Sequence, residues 1–335
     1  MKNLFFLLAF TLLYSCGSNN HIVENIITEE NASTYAKTIT INELKEHLYI
    51  FPSDEFEGRL TGEPGQKKAA DFLKNFYISK RINSPLENDN YFQEIPTKYL
   101  RSYLKDSENV LAFVEGTEKP EEIIVISAHY DHLGMKNGEI YNGADDDGSG
   151  NVAIMEIADA FKQASNDGNG PKRSILFLHV TGEENGLLGS KYYTSFPVFP
   201  LANTIANLNI DMIGRVDDIH KNSKNYVYLI GSDKLSDELH SISEGVNQKF
   251  TNLELDYTYN DDDDPNRYYY RSDHYHFAKN NVPVIFYFNG IHQDYHRPSD
   301  TPDKINYELL KKRAQLIFYT AWELANRPER IQLND

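Results

Sequence analysis

The sequence predicts an α/β domain built on a largely parallel sheet covered on both faces, and three observations lead there. Ile123–Ala128 and Ile175–Val180 are continuous apolar runs of strand length, the pattern of strands buried on both faces. Ile205–Ile210 alternates and reads as a further strand. Segments with helical spacing lie between them, as at Ile154, Ile157, Ala158 and Phe161. A parallel return needs a crossover, so strands that alternate with helices imply parallel neighbours with helices packed on the faces.

The remaining elements follow in chain order. A helix starts from Asn42 as cap, with Leu44, Leu48 and Tyr49 on one face. A second follows Pro64-Gly65, with Ala69, Phe72, Leu73 and Phe76 at helical spacing. Asn83 to Tyr91 is a turn-rich loop and Val110–Val114 a short strand. After Ile175–Val180 a helix begins at Leu187–Tyr193. Tyr226–Ile230 is a strand, Leu235–Val246 a helix and Leu253–Tyr257 a strand. Asp273–Lys279 is a helix, Val282–Phe288 a strand, and Tyr307 to Asn326 a long terminal helix. The acidic run Asp261–Asp264 lacks the spacing of a calcium loop and reads as a solvated, mobile loop.

Composition narrows the function. The chain has 335 residues, 40% apolar and 25% charged, with a formal net charge of −17. That length suits one large domain with small additions. The acidic balance argues against nucleic acid or an anionic membrane surface as a partner, because phosphates are repelled. The one cysteine, Cys16, ends an apolar stretch that follows Lys2. Met1–Cys16 is too short to span a bilayer and has the layout of a secretory signal. Leu13-Tyr14-Ser15-Cys16 resembles the lipobox of bacterial lipoproteins, in which the cysteine is lipidated. An ordinary signal peptide with an incidental cysteine is the plainer alternative. The organisation expected is a signal over 1–16, a polar tether over 17–40 and a catalytic domain over 41–335. Such a protein is exported from the cytoplasm and anchored to a membrane through Cys16, facing periplasm or cell surface.

Candidate ligand residues lie just after the apolar strands, where an open α/β sheet places its ligands. His129-Tyr130-Asp131-His132 follows Ile123–Ala128. His129 can bind a metal through one ring nitrogen while Asp131 accepts a hydrogen bond from the other. Asp145-Asp146-Asp147 sits among glycines before the helix that carries Ile154. Helix capping accounts well for one such acid and poorly for three, whereas a carboxylate can bridge two zinc ions ~3.5–4 Å apart. Glu183-Glu184 follows Ile175–Val180. Adjacent residues point apart, so one can bind metal while the other faces a water as general base. Asp211 ends Ile205–Ile210, and His296 lies in Asp294-Tyr295-His296-Arg297-Pro298. Either alone would usually be structural; together they supply what a two-metal site still lacks.

These segments, in this order, resemble the di-zinc aminopeptidases of metallopeptidase family 28, which include bacterial leucine-type aminopeptidases. The resemblance runs from about Asp54 to Ile305 and takes in Asp54–Arg59 and Arg271-Ser272-Asp273-His274. It implies a three-layer α/β sandwich with a mixed, largely parallel central sheet, of the phosphorylase/hydrolase-like zinc exopeptidase kind. It implies two zinc ions, one held by His129 and Asp211, the other by Glu184 and His296, with Asp146 between them. It assigns Glu183 as general base and Asp131 as the carboxylate behind His129. The substrates implied are peptides with a free N-terminus. Glutaminyl cyclases of the same superfamily are one alternative, although Glu183-Glu184 and Tyr295 differ from the bacterial cyclase pattern. A carboxypeptidase relative, with Arg271 and Arg297 meeting the terminal carboxylate, is another. A metal- or peptide-binding lipoprotein without turnover is a third, and Glu183 argues against it, since a binder needs no base.

Overall fold

The computed structural model describes residues 29–335; the signal expected over 1–16, with Cys16, lies outside them. Its centre is an eight-stranded sheet in the order β1-β2-β6-β3-β7-β10-β8-β9. The strands are β1 (Phe92–Ile95), β2 (Ser107–Val114), β3 (Lys119–His129), β6 (Arg173–Val180), β7 (Thr204–Ile210), β8 (Tyr226–Ile230), β9 (Glu254–Asp256) and β10 (Val284–Phe288). β4 (Gly134–Lys136) and β5 (Glu139–Tyr141) form a separate antiparallel hairpin. The central strands β6, β3, β7 and β10 are mutually parallel. β2 joins β6, and β8 joins β10, antiparallel, so the sheet is mixed and largely parallel.

Burial on both faces explains the continuous apolar runs. Along β3, Ile124, Ile126 and Ala128 join the larger core with the helices α1 (Ile41–Ile50), α2 (Pro64–Lys80), α3 (Gly150–Asn166) and α7 (Tyr307–Asn326). Ile123 and Val125 face the opposite way, into a core shared with Tyr193 of α4 (Leu188–Ser195) and Phe277 of α6 (His274–Ala278). α5 (Asp237–Val246) adds Leu239 and Val246 to the larger core. Each fully buried aliphatic side chain contributes ~1.5–3 kcal/mol. No helix among the described residues is long and apolar enough to cross a membrane.

Several local expectations are corrected. α1 is capped by Thr40, whose hydroxyl accepts the Glu43 N–H, a bond worth ~1 kcal/mol; Asn42 lies inside the helix. Tyr49 is 47% exposed, off the buried Leu44 and Leu48 face. The tether expected over 17–40 is helical over 29–36 and buries Tyr35, Ala36 and Ile39. There Tyr35 stacks on Trp322 of α7, so a stretch without long apolar periodicity is ordered by aromatic packing. β1 and the β4–β5 hairpin went unread because edge strands and short hairpins carry little apolar pattern. The acidic run closes into turns: Asp261 accepts the Asp263 N–H, and the buried Asp264 accepts N–H groups of Asn266 and Tyr268.

Candidate metal centre

Because β6, β3, β7 and β10 are parallel, their carboxyl ends meet at one edge of the sheet. His129 is the last residue of β3, Glu183 and Glu184 follow β6, and Asp211 follows β7. His296 reaches the same place on the loop after β10, held at φ 56° with its ring stacked 3.8 Å from that of Tyr295. The five residues that sequence reasoning singled out as ligands therefore converge.

Asp146 is the centre. Its Oδ1 lies 3.1 Å from His129 Nε2, which is 3.6 Å from Asp211 Oδ1. Its Oδ2 lies 3.1 Å from His296 Nε2, which is 3.3 Å from Glu184 Oε2. One group of donors is thus His129, Asp146 and Asp211, and a second is His132, Asp146 and Glu184, with His296 reaching the same two carboxylates. Asp146 Oδ2, Glu184 Oε1 and both ring nitrogens of His132 are buried without hydrogen-bond partners. Orphaned buried atoms of this kind are costly unless something charged sits between them. Imidazole and carboxylate donors suit zinc, so the residues fit the expected metal.

The neighbouring aspartates do different work. Asp145 Oδ1 accepts the Gly214 N–H, and Asp145 Oδ2 lies 3.2 Å from His292 Nε2. Asp147 Oδ1 accepts the N–H groups of Gly150 and Met212. Asp300 Oδ2 accepts the N–H groups of Asp145 and Asp146 at 2.9 and 3.2 Å. The triple acid is therefore one converging carboxylate flanked by two that lock the loop to the chain after β7. The fully buried Arg59 completes the frame by donating to the carbonyls of Tyr130, Asn142 and Gly143. Burial lowers its pKa to about 10 against the pull of Asp146, Asp131, Asp147 and Asp300. Sequence reasoning missed Asp300, Arg59 and the part of His132; a histidine three residues beyond His129 was the available signal.

Asp131 sits behind His129 in a different way from that expected. Its carboxylate is 3.9 Å from His129 Nδ1, while its backbone carbonyl is 3.1 Å away. The carboxylate instead accepts the Glu183 N–H at 3.1 Å and the Thr61 hydroxyl at 2.9 Å. The turn after β3 presents the carbonyl to the ring and frees the side chain to hold the Glu183 loop. Asp211 is fixed by the Ser272 hydroxyl, 2.7 Å from its Oδ2.

Charge in the site is strongly perturbed. Burial and the Asp211, Glu184 and Asp273 carboxylates push Glu183 well above the usual carboxylate range, against the pull of His129. Burial would depress His129 and His296, yet the carboxylates outweigh it: His129 is raised by Glu183, Asp146 and Asp211, and His296 by Asp146 and Glu184, to about 10. Burial would raise Asp146, yet His132, His129 and His296 hold it well below its ordinary value. Such opposed shifts in one cleft are the mark of a functional site.

The cleft is floored by His129, Asp146, Glu183 and Asp211 and walled by Met212, Tyr268, Phe286, Phe288, Ile291 and Tyr295. Arg271 also lines it. Tyr268 thus faces the cleft, while Tyr269 and Tyr270 line another hollow and Tyr287 is wholly buried.

Known proteins share this arrangement of chain. A probable leucine aminopeptidase of Trichophyton verrucosum is 31% identical over 225 residues, covering 65% of this chain, which spans 57% of that protein's length. The LapA aminopeptidase of Legionella pneumophila superposes with a TM-score of 0.69 at 22% identity, covering 90% of this chain and 76% of its own. Porphyromonas gingivalis glutaminyl cyclase superposes with a TM-score of 0.64 at 16% identity, covering 84% and 97%. These structural likenesses bear on the fold alone. The model of Peptidase family M28 matches residues 109–321, from β2 through most of α7, and the chain belongs to that family.

Proposed function

We propose that this protein is a zinc aminopeptidase with two metal ions, in which Asp146 joins the two donor sets and Glu183 is the general base. The observation that carries the reading is Asp146 itself, whose two oxygens each face a histidine that also meets a second carboxylate. His129 and Asp211 would hold one ion, Glu184 and His296 the other. Bound zinc supplies Lewis acidity and brings the pKa of water toward neutrality.

Glu183 takes a proton from the water that adds to the first peptide carbonyl, and returns it to the departing amine. The raised pKa of Glu183 is in the direction such work near neutral pH requires. Asp131 acts through Glu183, because its carboxylate holds the Glu183 N–H. The carboxylate-rich floor favours a free α-ammonium group, which fixes the first peptide bond over the site. The Met212, Phe286, Phe288 and Ile291 wall suits an apolar N-terminal side chain.

The test compares a leucyl anilide with its N-acetylated form on purified protein. Release of leucine from the free form alone is expected. Equal rates on both, or release from the carboxyl end of a peptide, would overturn the aminopeptidase reading. The glutaminyl cyclase fold likeness makes an N-terminal glutaminyl peptide the control, and ring closure without hydrolysis would favour that reaction.

A further inference from the structure

We propose that His132 is a direct protein donor to the second metal ion, beside Asp146, Glu184 and His296; the inference rests on the two-metal reading above. His132 Nδ1 lies 2.9 Å from Glu184 Oε1 and 3.8 Å from Asp146 Oδ2. The shorter approach is an ion-pair contact, yet neither buried atom meets hydrogen-bond geometry with any partner. Together with an Asp146 oxygen, these two atoms lie close enough to one another to share one ion.

The distances are in the range of a shared ion. Donors bound to one zinc at ~2.0–2.1 Å in tetrahedral geometry lie ~3.3 Å apart. The four measured donor separations are 2.9 and 3.8 Å from His132, and 3.1 and 3.3 Å from His296 to the same two carboxylates. The two rings meet edge to face with centroids 5.8 Å apart, so both imidazoles approach the Asp146–Glu184 pair from different sides.

The backbone around the ring is also held in place. The His132 N–H donates to the Arg59 carbonyl at 3.1 Å, and the Arg59 guanidinium holds the carbonyls of Tyr130 and Gly143 on either side. A Cβ at Gly143 would stand 2.6 Å from the ring, so this glycine makes room for it. Without a cation both His132 nitrogens are buried and unpaired; with one, Nδ1 is satisfied. A histidine kept fully buried only to fill space would be a poor choice beside an apolar side chain.

The experiment measures zinc affinity at both sites, by competition with a chromophoric chelator, in the metal-free parent protein and in His132→Ala and His132→Asn. The cobalt-substituted forms are compared by visible absorption, which reports the donor set without turnover. The parent should bind two zinc ions. Both variants should keep the first and lose affinity for the second by more than ~100-fold, beyond the ~10–100-fold that removal of an outer partner brings, with a changed cobalt spectrum. A smaller loss, an unchanged spectrum, or equal loss at both ions overturns the proposal, and melting of the metal-free forms identifies a variant that fails to fold. A parent that binds a single ion overturns the two-metal reading together with this one. Two ions with an unaltered second affinity overturns this proposal alone.

Discussion

Two buried histidine–carboxylate clusters in this protein have nearly the same composition and opposite character. In the loop before β8, His220 Nδ1 is 3.0 Å from Asp217 Oδ1 and its Nε2 is 3.2 Å from Asp256 Oδ2. Asp217 Oδ2 accepts the Tyr228 hydroxyl, and the His220 ring stacks 3.5 Å from Tyr226. In that ring Nδ1 is hydrogen-bonded and Nε2 is in ion-pair contact. At the cleft, Asp146 Oδ2, Glu184 Oε1 and both nitrogens of His132 are buried and make no hydrogen bond, although they crowd together. A satisfied cluster stabilises the fold by itself, while a converging unsatisfied one requires a ligand. Residue type and burial do not separate the two; hydrogen-bond geometry does.

The comparison is broken most directly at Glu183. Glu183→Gln should cut turnover on a leucyl anilide by about 10²–10⁴-fold, the range for loss of a general base, with zinc content unchanged by elemental analysis. Near-normal turnover, or loss of zinc, would remove Glu183 from the role of base.

The satisfied cluster should respond in stability and not in chemistry. His220→Phe keeps the stack on Tyr226 and leaves Asp217 and Asp256 short of a partner. Urea unfolding should show a loss of about 1–3 kcal/mol, while zinc content and specific activity of the folded fraction stay at the parent level. An activity loss without a stability loss would show that the two clusters are not so different.

A third buried histidine sharpens the contrast because no carboxylate touches it. His179 lies between the Tyr77 hydroxyl and the Asn151 side chain, and burial lowers its pKa to about 3. Its unfolded value is ~6.5. Between those limits the unfolded chain binds the proton and the folded one does not, so stability is full above ~6.5 and falls as pH drops toward 3. From pH 7 to 5 this one group should cost about 2 kcal/mol. Urea unfolding of His179→Gln at both pH values should show a decline smaller by that amount. An equal decline in both proteins would mean that His179 is protonated in the folded state.

The sequence by itself determined most of the scaffold and the neighbourhood of the site. Tyr226–Ile230 and Tyr307–Asn326 have the bounds read from pattern alone, because hydrophobic periodicity is a local record of burial. His129, Glu183-Glu184 and Asp211 were legible as candidates because they follow apolar runs, and parallel strands bring such positions to one edge. The family resemblance had singled out Asp146 of Asp145-Asp146-Asp147; only the tertiary structure gave the reason, since the other two are held by Gly214, Met212 and His292, far along the chain. It also decided that Asp131 holds the Glu183 N–H through its carboxylate and meets His129 through its carbonyl, and that His132 faces Glu184. A mixed sheet was expected from the resemblance, but which strands pair antiparallel, β1 with β2 and β8 with β10, was not legible in the residue pattern. Side-chain direction in an irregular loop is set by hydrogen bonds to distant segments. A residue pattern records where a chain is buried, and carries no trace of which remote backbone group its side chain will meet.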